Sequence, residues 1–218
     1  MIIVHHLDHS RSQRILWLLE ELGLPYEIKV YKRDKGYLAP PELKAVHPLG
    51  KSPVITDGDL TIAESGAIID YILTTYGGGR LVPTAGAERR AYTYWVYASE
   101  GSFMTPLVLK LITTNIRKRA PFFVKPIASG IAKTIEATLV TGNLTNMLNL
   151  WESTLAKMPW FAGEDFTAAD IMMSFPVEAA GSRGGIGDRP HIGEWLKTIH
   201  ARPAYKRALE RGGPYAYA

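Results

Sequence analysis

The sequence predicts a small α/β unit of order βαβαββα followed by an all-helical unit, and three observations carry that reading. Strand-like runs are confined largely to the first third of the chain, and an Asp57-Gly58-Asp59 turn signal separates two of them. A break at Gly77-Gly78-Gly79, with Pro83 and Gly86 beyond it, then precedes a long stretch whose apolar residues recur at helical spacing. The 218 residues are 46% hydrophobic and 21% charged, ordinary values for a folded protein. A chain of this size buries on the order of 70% of its unfolded surface.

Ile2 to Val4 is a β-branched run and predicts the first strand. Ile15, Leu18, Leu19 and Leu22 fall at i, i+3, i+4 and i+7, a helical stripe ending at Gly23. Tyr26, Ile28 and Val30 alternate with Glu27 and Lys29, so residues 2 to 30 read as a right-handed βαβ unit with parallel strands. Pro40-Pro41-Glu42 opens a short helix through Val46, stopped by Pro48 and Gly50. Val54 to Thr56 and Leu60 to Ile62 flank the Asp-Gly turn as an antiparallel hairpin. Ser65 to Tyr76 carries Ile68, Ile69, Ile72 and Leu73 on one face, a helix that covers the sheet. These features divide the chain into a first domain over 1–77, a linker over 78–86 and a helical domain over 87–218. Within the last, helices are expected at 87 to 116, roughly 130 to 157, 168 to 181, 190 to 201 and 203 to 211.

Composition narrows the function. The formal net charge is +4, and the basic residues are scattered apart from Arg117-Lys118-Arg119, too diffuse for a nucleic-acid surface. No stretch approaches 18 uninterrupted apolar residues, and Met1 to His6 lacks the basic head and apolar run of a secretion signal, so a cytoplasmic protein without a membrane span is expected. There is no cysteine, so any thiol chemistry uses a thiol brought in by a ligand. His5, His6 and His9 invite a metal, but adjacent strand residues point to opposite faces and no further ligands stand at useful spacing; no metal site is expected.

Three segments carry candidate chemistry. Ser10, between the first strand and first helix, is either the helix N-cap in a Ser10-Arg11-Ser12-Gln13 capping box or a ligand-facing hydroxyl at a helix mouth suited to an anion. Pro53 opens a strand: if trans it is ordinary, and if cis it turns the Ser52 backbone outward to pair with a ligand's own peptide, with Lys51 in reach of a carboxylate. Glu64-Ser65 either caps the next helix or holds the two charges of an amino acid. Late in the chain, Thr167 and Asp170 fit a capping box, with Phe166 and Ile171 as its staple.

Together, Ser10 before a helix, Pro48-Leu49-Gly50-Lys51-Ser52-Pro53, Glu64-Ser65, the glycine-marked passage into helices and Phe166-Thr167-Ala168-Ala169-Asp170-Ile171 resemble the cytosolic glutathione S-transferase family. Tyr31-Lys32-Arg33-Asp34 through Gly50 is most similar to its bacterial and fungal branch. The resemblance implies a thioredoxin-like domain that binds glutathione, a helical domain that supplies an electrophile pocket, a homodimer, and a role in detoxification. It implies glutathione as co-substrate with no other cofactor, and a small hydrophobic electrophile, with peroxidase activity as a further option. Ser52 beside Pro53 would pair with the cysteinyl backbone, Glu64 and Ser65 would hold the γ-glutamyl end, and Lys51 the glycine carboxylate. Arg11 would join them, and Glu100 would reach the γ-glutamyl ammonium across the dimer or else be a solvated carboxylate on a helix face. His5 stands where tyrosine-type members carry their hydroxyl, and Ser10 where cysteine-type members carry a thiol. The resemblance therefore makes Ser10 a serine-type catalytic residue, with Ser12 its rival. Leu7, Tyr97, Phe103, Met104 and Leu107 line the electrophile pocket or else form interhelical core. The alternative to an enzyme is a non-catalytic relative that only binds or interacts.

Overall fold

The computed structural model describes residues 1–34, 36 and 38–217, so Ala218 of the expected helical domain lies outside the described residues. Strand β1 (Ile2–Leu7), α1 (Gln13–Leu22), β2 (Tyr26–Tyr31), α2 (Pro41–Val46), β3 (Val54–Asp57), β4 (Leu60–Ala63) and α3 (Ser65–Tyr76) follow one another in the expected order. The sheet runs β2-β1-β3-β4. Strands β1 and β2 are parallel, because α1 provides the crossover such a pair needs; β3 returns antiparallel into β4 through Gly58, whose φ of 57° suits the tight turn. Strand β1 pairs with β3 antiparallel, completing a mixed thioredoxin-like sheet.

Strand β1 continues to Leu7 rather than ending at Val4, which makes both His5 and His6 strand residues. Successive side chains then point to opposite faces. Ile2 and Val4 enter the main core with Leu16, Leu19, Ile68 and Ile72 of α1 and α3. Leu7, on the other face, packs with Tyr31 and Leu43 of α2. His6 therefore looks toward α1, and His5 toward the opposite side, where it meets the Tyr31 hydroxyl at 2.9 Å.

Beyond the glycines come α4 (Gly86–Gly101), α5 (Met104–Arg119), α6 (Lys125–Ile135), α7 (Thr141–Leu155), α8 (Ala168–Gly184), α9 (Pro190–Ala201) and α10 (Pro203–Gly212). The single helix expected over 87–116 is two. At their junction the N–H groups of Ser102 and Phe103 both donate to the Ala98 carbonyl, and the Phe103 ring turns inward against Trp95 and Trp151, at centroid distances of 5.8 and 5.2 Å. Helix α6 begins at Lys125 rather than near 130, with Pro126 in its first turn, and runs into α7 through a π-helical turn at Glu136–Val140.

One continuous core joins the sheet unit to the helices. Trp17 of α1 lies edge-on to Tyr205 of α10 at 5.1 Å and against Phe166 at 5.5 Å. Arg207 and Arg211 pair with Glu20, and Arg202 with Glu21, so α10 is held along α1 by charge as well as by apolar packing. Helix α8 starts on the expected capping box: Thr167 Oγ1 accepts from Ala169 N–H, while the Asp170 carboxylate takes the Thr167 N–H at 3.0 Å. That carboxylate also accepts from the Phe161 N–H at 3.0 Å, tying the preceding loop to the helix start.

Candidate active site

The loop after β1 brings three hydroxyls together. Ser10 Oγ lies 2.7 Å from Ser12 Oγ, and Ser12 Oγ lies 2.8 Å from His6 Nδ1. Ser10 Oγ also approaches Ser52 Oγ at 3.4 Å, while the Ser52 hydroxyl donates to the His5 carbonyl at 3.0 Å. Ser12 is wholly buried and Ser10 retains 5% exposure, so Ser10 is the outer end of this chain of hydroxyls. Burial lowers the His6 pKa to about 4, although Asp8 and the Gly212 backbone work in the opposite direction.

Ser10 is not the N-cap. Helix α1 starts at Gln13, Ser12 occupies the cap position without a side-chain cap bond, and the Ser12 N–H donates to Ser10 Oγ at 3.2 Å. The N–H groups of Gln13, Arg14 and Ile15 are taken by the carbonyls of Ser10, Arg11 and Ser12 in a tight first turn. The turn therefore uses the N–H groups of residues 12 to 15, and what this helix mouth leaves for an anion is the dipole and the hydroxyl.

The Ser52-Pro53 peptide is cis, the second of the two alternatives open from the sequence, and Lys51 beside it is exposed. Glu64 precedes α3 with φ 73° and ψ 128°, a conformation that costs a non-glycine residue on the order of 1–3 kcal/mol and persists only where its surroundings impose it. Neither Glu64 nor Ser65 caps the helix by its side chain. The Ser65 hydroxyl instead accepts from the guanidinium of Arg14 at 2.8 Å.

Arg14 was not singled out from the sequence, yet it organises this side of the site. Its side chain is 1% exposed, and it donates to Ser65 Oγ, to the Glu100 carboxylate, and to the Met172 carbonyl at 2.9 Å. The Met172 carbonyl is free because Pro176, four residues on in α8, has no N–H to give it. Glu100 also faces Arg11 at 3.4 Å. The legible signal was one arginine four residues before Leu18 on an otherwise apolar helical stripe, a placement that requires buried partners.

Residues 1–74 match the family described as Glutathione S-transferase, N-terminal domain, and residues 119–203 the one described as Glutathione S-transferase, C-terminal domain. Glutathione S-transferase 1 of Saccharomyces cerevisiae is 35% identical in an alignment covering 97% of this chain and 95% of that protein. The chain belongs to the glutathione S-transferase family. Glutathione S-transferase 3 of Schizosaccharomyces pombe is 37% identical over 97% of this chain and 88% of its own length. A crystal structure of a glutathione S-transferase from Actinobacillus pleuropneumoniae superposes with a TM-score of 0.76 at 34% identity, covering 97% of this chain and 93% of that one.

In this glutathione S-transferase the residues expected to line the electrophile pocket divide. Tyr97 is exposed, whereas Leu7, Phe103, Met104 and Leu107 are buried: Leu7 under α2, and the other three in the core between helices. The groups that instead crowd the Ser10 loop come from Phe175 of α8 and from the tail beyond α10. The guanidinium groups of Arg11 and Arg14 both lie 5.5 Å from the Phe175 ring. Tyr217 stacks edge-on to Phe175 at 5.3 Å, and the Ala216 N–H donates to His9 Nδ1 at 3.1 Å. Sequence reading missed Tyr217 because the tail follows the last helical stripe and carries no periodicity of its own, and Phe175 because nothing local to α8 marks it as facing Arg11 and Arg14. Among the described residues no group of three or more His, Cys, Asp or Glu is placed to hold a metal ion, and no helix is long and apolar enough to cross a membrane.

Proposed function

We propose that this chain is a serine-type glutathione transferase in which the Ser10 hydroxyl donates a hydrogen bond to the thiolate of glutathione, which attacks the electrophilic carbon of a small hydrophobic substrate. The observation that carries this reading is the position of Ser10 Oγ at the outer end of the hydroxyl cluster, 3.4 Å from Ser52 Oγ and beside the Pro53 turn. Glutathione would lie along that turn, its cysteinyl backbone on Ser52, its γ-glutamyl end toward Glu64 and Ser65, and its glycine carboxylate toward Lys51. Its sulfur is thereby brought to Ser10.

A free thiol has a pKa of about 8.5, and each unit of lowering requires about 1.4 kcal/mol of preferential thiolate stabilisation. A hydrogen bond to a charged acceptor contributes about 1.5–3 kcal/mol, enough for one to two units. Glu100 holds Arg14 and Arg11 within its own chain, and in a dimer pairing each first domain (1–77) with its partner's helical domain (87–218, after a linker over 78–86) the same carboxylate would approach the opposite γ-glutamyl ammonium. The electrophile would be received between the Ser10 loop, Tyr97 and the aromatic group of Phe175 and Tyr217. The reaction serves detoxification in the cytoplasm, and attack on hydroperoxides is a second outlet for the same thiolate.

The test compares Ser10→Ala with Ser12→Ala by the pH dependence of kcat/KM toward an aryl halide. Ser10→Ala should raise the apparent thiol pKa by about 1–2 units and lower the neutral-pH rate by about 10- to 100-fold, with a smaller loss in Ser12→Ala. A larger loss in Ser12→Ala would transfer the role to Ser12.

A further inference from the structure

The three hydroxyl contacts end on an imidazole, and that end has a defined polarity. The Gly212 backbone of α10 favours a proton on the His6 ring, while Nδ1 faces Ser12 Oγ at 2.8 Å. With Nε2 carrying the hydrogen, Nδ1 is an acceptor, so the Ser12 hydroxyl points its hydrogen at His6 and offers a lone pair to Ser10 at 2.7 Å. The Ser10 hydrogen has two acceptors in reach, Ser52 Oγ at 3.4 Å and Ser12 Oγ at 2.7 Å; on the nearer one it points inward to Ser12, and Ser10 Oγ offers a lone pair outward. The chain is thus set to accept a hydrogen from whatever meets Ser10.

We propose that His6 receives the thiol proton of glutathione through Ser10 and Ser12, and that this transfer is what turns the Ser10 hydroxyl round to face the thiolate. The S–H bond breaks as its hydrogen bonds to Ser10 Oγ; the former Ser10 hydrogen passes to Ser12 Oγ, and the former Ser12 hydrogen to His6 Nδ1. Thiol plus imidazole become thiolate plus imidazolium, with no change in oxidation state. Every contact is then reversed and still satisfied: Nδ1–H donates to Ser12, Ser12 to Ser10, and Ser10 to sulfur. A neutral His6 in the same tautomer would instead leave two lone pairs facing each other across the 2.7 Å between Ser12 and Ser10 once Ser10 turned outward. After the C–S bond forms, the proton returns along the chain, to the carbanion or alkoxide in an addition and to solvent on product release in a displacement.

The charged and titratable neighbours acting on His6 are Asp8, which favours the imidazolium, and His9, which opposes it. Burial disfavours the imidazolium, so His6 takes the proton only with the compensating negative charge of the thiolate at the other end of the chain.

This inference rests on Ser10 as the thiolate donor, and one measurement separates the two. Glutathione binding is followed by calorimetry in two buffers of different ionisation heat, which reads protons released, and by thiolate absorbance, which reads thiolate formed. The wild-type protein should release roughly half a proton or less per thiolate at neutral pH, the remainder staying on His6. His6→Asn keeps an acceptor for Ser12 but cannot take a proton, and Ser12→Ala interrupts the chain by a small change that preserves packing. Both should form about tenfold less thiolate and release one proton for each thiolate formed. One proton per thiolate in the wild type, or an unchanged ratio in His6→Asn, overturns the relay. If Ser10→Ala leaves thiolate formation intact, the assignment of Ser10 fails and the relay with it; if Ser10→Ala impairs it while wild-type release is stoichiometric, the relay alone fails.

Discussion

At the scale of single residues, the site depends on polar groups placed where water cannot reach them. His6 is 2% exposed, and its pKa falls from 6.5 to about 4 because burial disfavours the imidazolium. The sign follows directly: between pH 4 and 6.5 the unfolded chain binds a proton that the folded chain does not, so the stability from keeping His6 neutral is fully present above pH 6.5 and is lost as pH falls toward 4. That contribution is about 3 kcal/mol. Chemical denaturation at several pH values should show a steeper acid loss for the free wild-type protein than for His6→Asn, and parallel curves would show that another group governs acid unfolding. Arg14 makes the complementary case. Arg14→Met removes the charge that faces Ser65 and Glu100 while keeping most of the apolar stem, so the KM for glutathione should rise about tenfold with a smaller change in the KM for the electrophile. Equal changes in both constants would place Arg14 outside the glutathione site.

Elements show more clearly what the sequence disclosed. The βαβ unit, the Asp-Gly hairpin and the α8 capping box were legible because each rests on local chemistry: a helical stripe, a turn residue and a cap with its reciprocal acid. The break between α4 and α5 was not, since what bends the chain there is the insertion of Phe103 between Trp95 and Trp151, which lie far apart in sequence. Ser10 and Ser65 could be nominated because they stand at helix starts; His6, which meets Ser10 through Ser12, and Arg14, which meets Ser65 directly, could not, since their roles come from contacts across the fold. The α8 cap yields a direct test. Asp170→Ala strands the buried N–H groups of Phe161 and Thr167 and should destabilise the protein by about 3 kcal/mol, read as a lower midpoint in thermal unfolding, whereas Thr167→Ser should cost well under half of that. Equal losses would show that the cap hydroxyl's methyl, rather than the carboxylate, secures the loop.

Across the whole molecule, the two halves share one core and one ionic seam. Glu20 and Glu21 at the end of α1 meet three arginines of the α9–α10 corner, and the chain end returns to His9 beside Ser10. Removing residues 213–218 should therefore alter both the reaction and the fold: the KM for apolar electrophiles should rise several-fold, because Ala216 and Tyr217 meet His9 and Phe175, and the thermal midpoint should fall, because the buried Glu178 carboxylate loses the Tyr215 hydroxyl. An unchanged electrophile KM would take Tyr217 out of the pocket.

The bond from Arg14 to the carbonyl that Pro176 leaves free also bears on how the protein is made. The two residues joined are 158 positions apart, so during synthesis the thioredoxin-like half leaves the ribosome long before α8 exists. Until then Arg14 has no backbone acceptor in α8, and Ser65 and Glu100 are held by a side chain that is itself unanchored. Chains fold from the N-terminus as they emerge. The first half of this one can pair its strands early, but its glutathione side matures only when the proline-bearing helix arrives, so nascent chains truncated before α8 would carry the sheet without a finished site.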